Sequence, residues 1–492
     1  MKKIDSNAWF RWILPLLLAS GILVFLIKKS IVMQITHDEA YTVQQLTDKP
    51  FWDLVTYKSS YTNNHILNTL LTKGLFWLFG STNHSLARVP NVLAFGFYFY
   101  FCWRFAQQFI ADNWVSLMFV CVMCCNPYLL DFFSLCRGYG LSICFLMGSV
   151  YFATQFVVDG HRRSLPLSIL LSVLSVYSQF ATLHFYLGLN LVLFLFLLQK
   201  YVKTKESKGF FYGLGVQILG LMLLVLLIYL PITAIIRDNQ IAYYGKEGFW
   251  QNTMSSLISC SLYAKSYLNE ATIPTFKLLT ILLFSFVLAY ISFVSGEKTH
   301  AQSKKTYPSV WVTFLFFSTA LSVILQFHLL GNQYVVDRTA LFFYPLLAML
   351  MPIIPVFTGR FKRWASILAC LLFIIFSLNH VKQSCNLKAS FEWWYDVHTY
   401  EILDMMELEY EKTDKKRPLQ LQTSWIFNPS FLYHRNQNKL EWLATPVFIS
   451  KPDTVNVYDF YYSTRDDLPF LLTKYEKVKE WDWGQYFLLK RR

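Results

Sequence analysis

The chain has 492 residues, of which 55% are hydrophobic, 18% are aromatic and only 15% are charged. Soluble domains carry about 45–50% apolar and about 25% charged residues, so this composition excludes an ordinary soluble protein and indicates a polytopic membrane protein. The net charge of +14 does not indicate nucleic acid binding, because residues 383–492 are nearly neutral, with 15 basic and 16 acidic residues. The first 382 residues hold the whole excess, 29 basic against 14 acidic, and loop cations there orient membrane helices.

The nine cysteines are scattered along the chain. They show neither the spacing of a zinc site nor a disulfide framework, and most lie within apolar runs, where cysteine is typically a small buried hydrophobic residue. The first apolar run, Trp12 to Ile27, lacks a small-residue cleavage site. It is therefore predicted to remain in place as a signal anchor.

Several stretches are long and apolar enough to span a membrane, where a helix needs about 20 mainly apolar residues. Eleven spans are predicted, at residues 12–27, 89–110, 114–131, 138–158, 165–180, 183–199, 210–236, 274–295, 309–330, 340–358 and 364–382. The stretch Ile66 to Phe79 is apolar but short and contains Lys73, which predicts an interfacial amphipathic helix. The predicted fold class is therefore an all-α polytopic membrane protein with about 11 transmembrane helices.

The loops between the predicted spans fall into two alternating sets of different charge. Twelve Lys and Arg residues occur in the 35 residues of segments 159–164, 199–209, 296–308 and 359–363. Five occur in the 59 residues of segments 132–137, 178–184, 237–273 and 331–339. The positive-inside rule places the first set, and the N-terminus with it, in the cytoplasm. The outer loop 28–88 and the C-terminal domain then face outward, with Lys28-Lys29 as a local exception to the rule.

Residues 383–492 differ in character from the transmembrane domain 1–382 and are predicted to form a small extracytoplasmic α/β domain. Phe391 to Glu411 has apolar residues at helical spacing, and Asn428-Pro429-Ser430 is typical of a helix start. Short strands are predicted at 419–422, 440–443, 455–462 and 486–489. About 110 residues are enough for one small domain. No motif in it indicates catalysis.

Polar motifs recur at the predicted outer ends of the helices. An Asp-Glu pair follows the first span, and a histidine follows about 25 residues later. In chain order the motifs are Ile35-Thr36-His37-Asp38-Glu39, Asn63-Asn64-His65-Ile66-Leu67, Leu78-Phe79-Gly80, Ser85-Leu86-Ala87-Arg88-Val89-Pro90, Arg137-Gly138-Tyr139-Gly140-Leu141 and Asp337-Arg338-Thr339.

This ordered set resembles the GT-C glycosyltransferases of the protein O-mannosyltransferase and aminoarabinose-transferase type, over roughly the first 380 residues. The chain departs from the pattern after His65, where relatives often carry prolines and this chain has Ile66-Leu67. The resemblance implies a polyprenyl-phosphate-sugar donor taken from the membrane lipid. It also implies transfer of the sugar to a protein, lipid or polysaccharide acceptor on the outer face.

The Asp-Glu pair is the expected catalytic centre of such an enzyme. The leaving group is already an anionic phosphate, so one carboxylate suffices as general base on the acceptor hydroxyl, and a single displacement inverts the sugar carbon. Adjacent residues point in different directions, so the two carboxylates are assigned different tasks. Asp38 is the base, or the ligand of an assisting divalent cation (Mg²⁺ or Mn²⁺), and Glu39 orients a neighbour or the acceptor.

The donor phosphate requires cations, for which Arg offers a planar fork and Lys a point charge. Arg137, beside a glycine that permits close backbone approach, is the first candidate, Arg338 the second, and Lys58 or Arg88 the third. Tyr139, in the same motif as Arg137, and His65, at an outer helix end, complete the candidate substrate-binding residues. Each of these cations has an alternative role as an anchor for lipid headgroups. The alternative for His65 is a structural role.

Two further features leave their roles open. Asp131 either pairs with Arg137 or is a second acidic residue of the site. Tyr243-Tyr244-Gly245-Lys246 either lines an acceptor groove or belongs to an interfacial aromatic belt. A multi-pass transporter or flippase is the alternative function, but it predicts ionisable residues at mid-span and repeated halves, neither of which is evident. The compact loops favour a bacterial plasma membrane.

Overall fold

The computed structural model describes residues 9–58, 62–238, 240, 245–263, 267–296, 307–413, 417–448, 458–481 and 485–492. These residues form two compact units. The first consists of the described residues of Met1–Ser30, Pro50–Thr72 and Arg88–Cys385, and the second of those of Ile31–Lys49, Lys73–Ala87 and Asn386–Arg492. The predicted outer loop 28–88 is therefore divided, and two of its segments belong to the same unit as the C-terminal domain.

Most of the chain is helical. The α-helices are, in chain order, α1 Leu14–Val32, α2 His37–Tyr41, α3 Phe51–Val55, α4 Ile66–Phe79, α5 His84–Phe109, α6 Asn113–Cys124, α7 Pro127–Phe133, α8 Gly138–Thr154, α9 Ser164–Ser178, α10 Leu183–Thr204, α11 Ser207–Arg237, α12 Ser255–Ser261, α13 Ile273–Gly296, α14 Ser309–Leu330, α15 Phe343–Ala348, α16 Ile353–Phe361, α17 Arg363–Ser384, α18 Thr399–Glu411, α19 Asn428–Gln437 and α20 Leu468–Leu471.

Eight helical segments of the described residues are long and apolar enough to cross a membrane. They are Trp9–Val32, Gly138–Asp159, Phe180–Thr204, Ser207–Arg237, Glu270–Ser292, Ser309–Leu330, Phe343–Phe361 and Arg363–Ser384. The pair α6 and α7, which meet at an angle of 61°, gives a ninth if it counts as one span. Each of these segments coincides with a predicted span.

By length and composition alone, these segments account for nine of the eleven predicted spans. The other two predicted spans are also helices, but α5 contains Arg88, Asn91 and Arg104 within its 26 residues, so it lacks a sufficiently apolar stretch. Helix α9 has only 15 residues, which at 1.5 Å per residue reaches about 22 Å and falls short of a hydrocarbon core of about 30 Å.

Helices α8 and α9 pack through paired serines. Ser142 and Ser175 exchange hydroxyl-to-carbonyl hydrogen bonds of 3.0 and 2.8 Å, and Ser149 and Ser168 do the same at 2.8 and 2.9 Å. Small hydroxyl side chains let helix backbones approach closely where no water is available to satisfy polar groups. This packing fixes the position of α8, whose N-terminal cap is Arg137.

The second unit contains a mixed sheet of five strands in the described residues. The strands are β1 Leu421–Thr423, β2 Val447–Phe448, β3 Phe460–Thr464, β4 Tyr475–Trp481 and β5 Tyr486–Arg491, in the order β2-β1-β3-β5-β4. Strand β1 runs parallel to β2 and β3, whereas β5 is antiparallel to β3 and β4. Leu403 and Met406 of α18 and Phe431 of α19 share a buried apolar cluster with the sheet.

The predicted α/β character of this domain is confirmed, with differences in detail. The helix predicted from Phe391 begins at Thr399, after a 3₁₀ turn at Trp394–His398. Residues 440–443 do not form a strand, since Leu443 makes only an isolated bridge to Leu419. Part of the strand predicted at 455–462 lies outside the described residues. Strand β4 was not predicted, because it is an edge strand whose central residues are mostly charged, as is usual where an edge must resist aggregation.

Candidate functional site

The Asp-Glu pair lies in α2, a helix of five residues whose start is fixed by its own side chains. Thr36 is the N-cap, with extended backbone geometry. Glu39, at the third helical position, accepts hydrogen bonds through Oε2 from the Thr36 main-chain N–H at 3.0 Å and from the Thr36 hydroxyl at 3.1 Å. This is a capping box, in which the carboxylate satisfies a donor that the helix leaves exposed.

The capping box separates the two carboxylates. Glu39 is buried, at 1% exposure, whereas Asp38 is half-buried. The Thr42 hydroxyl donates to the Asp38 main-chain carbonyl at 2.9 Å. This bond stabilises the C-terminal end of the short helix. Of the two adjacent acids, Glu39 is engaged in holding the backbone, and Asp38 is the more accessible.

A third carboxylate, Asp396, lies directly against α2. The His37 main-chain N–H donates to Asp396 Oδ2 at 2.7 Å, and the Ser430 hydroxyl donates to Oδ1 at 2.8 Å. Burial raises the pKa of Asp396 well above its usual range; these two hydrogen bonds oppose the shift, and the charges of Asp38 and Glu39 reinforce it. A buried carboxylate therefore lies next to the residue that precedes Asp38.

No sequence motif marks Asp396, which is 359 residues from His37. Its one distinctive local feature is that it follows three aromatic residues in the stretch Glu392-Trp393-Trp394-Tyr395-Asp396. A carboxylate that is buried among such residues requires a hydrogen-bonding or charged partner.

In the first unit, Arg137, His65 and Tyr139 lie together. Arg137 is buried and donates through Nη1 to the Asn63 carbonyl at 3.2 Å. The His65 ring meets the Tyr139 ring edge-on, with centroids 4.9 Å apart, and its Nδ1 donates to the Ser178 carbonyl at 3.2 Å. The His65 and Tyr139 rings thus lie in contact near the start of α8, and Arg137 binds the main chain two residues before His65.

Glycine is required at the residue that follows Arg137. A Cβ atom on Gly138 would lie 2.0 Å from the Ser178 carbonyl oxygen and 2.8 Å from the Cβ of His65. Gly140 is also enclosed, with the Asn91 side-chain oxygen and the Phe132 carbonyl 2.7 and 2.8 Å from such an atom. The Arg-Gly-Tyr-Gly motif therefore lets the backbone of α8 approach its neighbours closely enough to bring Arg137 and His65 together.

Asp131 takes part in a buried ion pair in the first unit. Lys29 Nζ lies 2.5 Å from Asp131 Oδ1, and the Tyr263 hydroxyl donates to Oδ2 at 2.9 Å. Lys29 is completely buried. Of the Lys28-Lys29 pair, which was expected to be a local exception to the charge rule, Lys29 is therefore paired with a carboxylate inside the helical unit. Asp131 pairs with Lys29 in this cluster.

The other predicted phosphate-binding residues differ in their surroundings. Lys58 is exposed, Arg338 is half-buried in the 3₁₀ turn Asp337–Ala340, and Arg88 is fully buried, with Nη1 donating to the Ser30 carbonyl at 3.0 Å. The structure thus groups Arg137, His65 and Tyr139 in the first unit and Asp38, Glu39 and the unpredicted Asp396 in the second.

Comparison with solved structures identifies the architecture. The structure of ArnT from Cupriavidus metallidurans in the apo state superposes with a TM-score of 0.52 at 10% sequence identity, covering 96% of this chain and 97% of that chain. ArnT from the same organism bound to undecaprenyl phosphate superposes with a TM-score of 0.50 at 9% identity, covering 99% and 98% of the two chains. ArnT is a GT-C glycosyltransferase. The chain has the GT-C fold.

The predicted fold class is therefore confirmed over almost the whole chain. No protein-family model matches the sequence, and no curated protein matches it. The GT-C fold of this chain is thus evident from its three-dimensional structure and from the order of its motifs, at a sequence identity of only 9–10%.

Two further predictions concern a divalent cation and the candidate acceptor segment. No cluster of three or more His, Cys, Asp and Glu side chains suited to a metal ion occurs within the described residues. In the candidate acceptor segment, Tyr243 and Tyr244 lie outside the described residues. Gly245 pairs with Tyr334 through main-chain hydrogen bonds of 3.3 and 2.8 Å.

Proposed function

We propose that this protein is an integral-membrane glycosyltransferase that transfers a sugar from a polyprenyl-phosphate-sugar donor to a protein, lipid or glycan acceptor. The transfer takes place on the extracytoplasmic face of a bacterial plasma membrane and inverts the sugar carbon. The N-terminus is cytoplasmic and the C-terminal domain is extracytoplasmic, as the distribution of loop charges favours.

The fold supports this proposal in two respects. ArnT, whose fold this chain shares, binds undecaprenyl phosphate, a polyprenyl phosphate of the kind that remains when such a donor has lost its sugar. The span helices also provide a membrane unit from which a polyprenyl chain can be reached.

The single observation that carries the proposal is the division of tasks within the Asp-Glu pair. Glu39 is buried in the capping box, and Asp38, its neighbour, is the more accessible acid in the first turn that this box organises. Transfer from a phosphate-linked sugar needs one base at the acceptor hydroxyl, because the phosphate leaves as an anion without a general acid. Asp38 takes the acceptor proton in this scheme, and Glu39 keeps Asp38 in place.

The cations of the first unit supply the complementary function. Arg137 is held at the start of α8 by the Asn63 carbonyl, and its planar fork suits two phosphate oxygens. The rings of His65 and Tyr139 meet edge-on near the start of the same helix, and we assign both residues to the same binding surface. Arg338, Lys58 and Arg88 are the further candidates for phosphate binding, in that order.

The test is donor turnover in lipid nanodiscs. Purified wild-type protein is given a panel of polyprenyl-phosphate sugars with mixed protein, lipid and glycan acceptors, and free polyprenyl phosphate is measured by mass spectrometry. We expect release from one donor, reduced about 10²–10⁴-fold in Asp38→Asn because the general base is lost. Asp48→Asn is the matched control, since Asp48 is an exposed aspartate ten residues further along the same loop.

Two results would contradict the proposal. Equal release by the wild type and Asp38→Asn would remove the role of Asp38. Movement of an intact donor across the bilayer of a proteoliposome, without release of polyprenyl phosphate, would indicate a flippase instead.

A further inference from the structure

The five-residue helix α2 cannot hold its own position. Isolated helices shorter than about 12–15 residues are marginal in water, and the capping box organises only the first turn. The position of Asp38 therefore depends on what the rest of the second unit does to the segment Ile31–Lys49, here called the acidic loop.

The acidic loop is attached to the C-terminal part of the second unit at its main chain. The His37 N–H donates to buried Asp396 at 2.7 Å, and the His37 ring donates through Nδ1 to the Ile426 carbonyl at 2.7 Å. These two contacts fix both the backbone and the ring of the residue that immediately precedes Asp38. The carboxylate of Asp396 is itself fixed by Ser430, at the start of α19.

Further contacts lie on either side. Gln34 accepts from the Tyr400 main-chain N–H at 3.1 Å and donates to the Val397 carbonyl at 3.2 Å, so it binds the chain next to Asp396. Gln44, beyond α2, donates to the Pro429 carbonyl at 3.2 Å. The acidic loop is thus fastened before, at and after the Asp-Glu pair.

We propose that the C-terminal domain is part of the catalytic apparatus, and that Asp396 is the positioning residue that holds α2 so that Asp38 faces the reacting groups. This inference rests on the proposed function, since it assigns the C-terminal domain a task in that same reaction. Asp396 touches neither donor nor acceptor in this scheme; it acts through the His37 main chain.

Two substitutions of Asp396 distinguish a role as a hydrogen-bond acceptor from a role as a charge. Asp396→Ala removes both contacts. Asp396→Asn keeps an oxygen for the His37 N–H, and its amide can donate to Ser430, whose hydroxyl then turns to the Ile35 carbonyl 3.4 Å away. A positioning role therefore predicts that Ala is defective and that Asn restores the wild-type behaviour.

The kinetic expectation follows from misplacement of the base. Displacement of a catalytic group by about 1 Å lowers the rate about 100-fold, so kcat for polyprenyl phosphate release should fall by that factor in Asp396→Ala, with the KM for the donor unchanged. Asp396→Asn should stay within about tenfold of wild type, since a neutral hydrogen bond replaces a charge-assisted one. Asp459→Ala is the matched control, because Asp459 pairs with Arg417 elsewhere in the domain.

Hydrogen–deuterium exchange in nanodiscs gives a measurement independent of activity. In Asp396→Ala, amides of the acidic loop should exchange faster while those of β3 and β5 stay as in wild type, and Asn should restore the loop. A loop that is unchanged in Asp396→Ala, or a kcat within threefold of wild type, overturns the inference.

If the amides of β3 and β5 also exchange faster in Asp396→Ala, the variant Gln34→Ala provides the deciding test, because Gln34 belongs to the acidic loop and makes a different attachment. Faster loop exchange with a lower kcat then supports positioning, and wild-type values for both overturn it. A wild-type protein inactive with every donor counts against the proposed function alone, and the exchange results for the loop still test its attachment.

Discussion

Asp131 in the first unit and Asp396 in the second are buried to the same degree, each 3% exposed, but they are stabilised in different ways. Asp131 faces the ammonium of Lys29 at 2.5 Å and the hydroxyl of Tyr263 at 2.9 Å. Asp396 is held by a main-chain N–H and the hydroxyl of Ser430. The Asp131 carboxylate is thus stabilised by a full opposite charge, whereas the Asp396 carboxylate is stabilised by the dipoles of two hydrogen-bond donors.

The difference reflects the surroundings in which each carboxylate is buried. Among membrane-spanning helices an ion is expensive, and pairing with an opposite ion is the usual solution. In the second unit, hydrogen-bond donors do not fully offset burial, and the pKa of Asp396 is raised. A charge-paired carboxylate holds helices together, whereas a donor-held one can fix a short segment of main chain.

The largest effect should come from breaking the ion pair. Lys29→Met leaves the Asp131 charge buried without its partner, which destabilises by about 3–5 kcal/mol. Thermal unfolding in nanodiscs would show this as a large drop in Tm. Lys28→Met is the matched control, since Lys28 is exposed, and it should leave Tm nearly unchanged.

The double variant Lys29→Met with Asp131→Leu sharpens the same point. Replacing both ions by apolar residues removes the unpaired charge, so most of the lost stability should return. A double variant as unstable as Lys29→Met would show that the pair is not the source of the effect.

A smaller effect is expected from the phenol that completes the pair. Tyr263→Phe removes a hydrogen bond to a charged carboxylate and should destabilise by about 1.5–3 kcal/mol. Tyr98→Phe removes a bond of similar length, 2.8 Å, to the neutral Met123 carbonyl, and about 0.5–1.5 kcal/mol is expected there. Urea or thermal unfolding of both variants measures the difference, and equal losses would contradict the prediction that the bond to the ion-paired carboxylate is the stronger one.

A further effect concerns Asp396 and pH. Because its pKa is raised in the folded protein, the folded state holds its proton to higher pH than the unfolded state does. The stability that this provides is complete below the unfolded pKa and is lost as pH rises through the folded pKa. Asp396→Asn lacks this loss, so it should gain stability over wild type as the pH rises through the folded pKa of Asp396. The gain should vanish toward acid.

Asp459, in the same domain, has a pKa shift of the opposite sign. Burial raises its pKa, but hydrogen bonds from Arg417 and the Gln420 main-chain N–H outweigh burial and lower it overall. Its contribution is present above the unfolded pKa and lost as pH falls through the folded one. Unfolding of Asp459→Asn and Asp396→Asn across the acid range should therefore give opposite trends relative to wild type, and parallel trends would contradict the contrast.

The site could be predicted in part. The Asp38-Glu39 motif, the Arg137 motif with its glycines and their order along the chain are local patterns, and the grouping of Arg137 with Tyr139 follows from their adjacency. Their neighbours were not predictable in the same way. Lys29 and Asp131 are 102 residues apart, and His37 and Asp396 are 359 apart, so no spacing rule connects either pair.

The sequence by itself determined the membrane class, most of the span positions and the α/β character of the C-terminal domain, because apolar run length and hydrophobic period are properties of contiguous residues. The start of α2 also depends on a local pattern, a cap and an acid three positions apart, but the sequence analysis did not identify it. Only the tertiary structure decided that Lys29 is buried against Asp131 and that Asp396 holds the main chain before Asp38. Those contacts depend on how distant segments pack, and burial then sets the energy of each charge according to the partners that packing supplies.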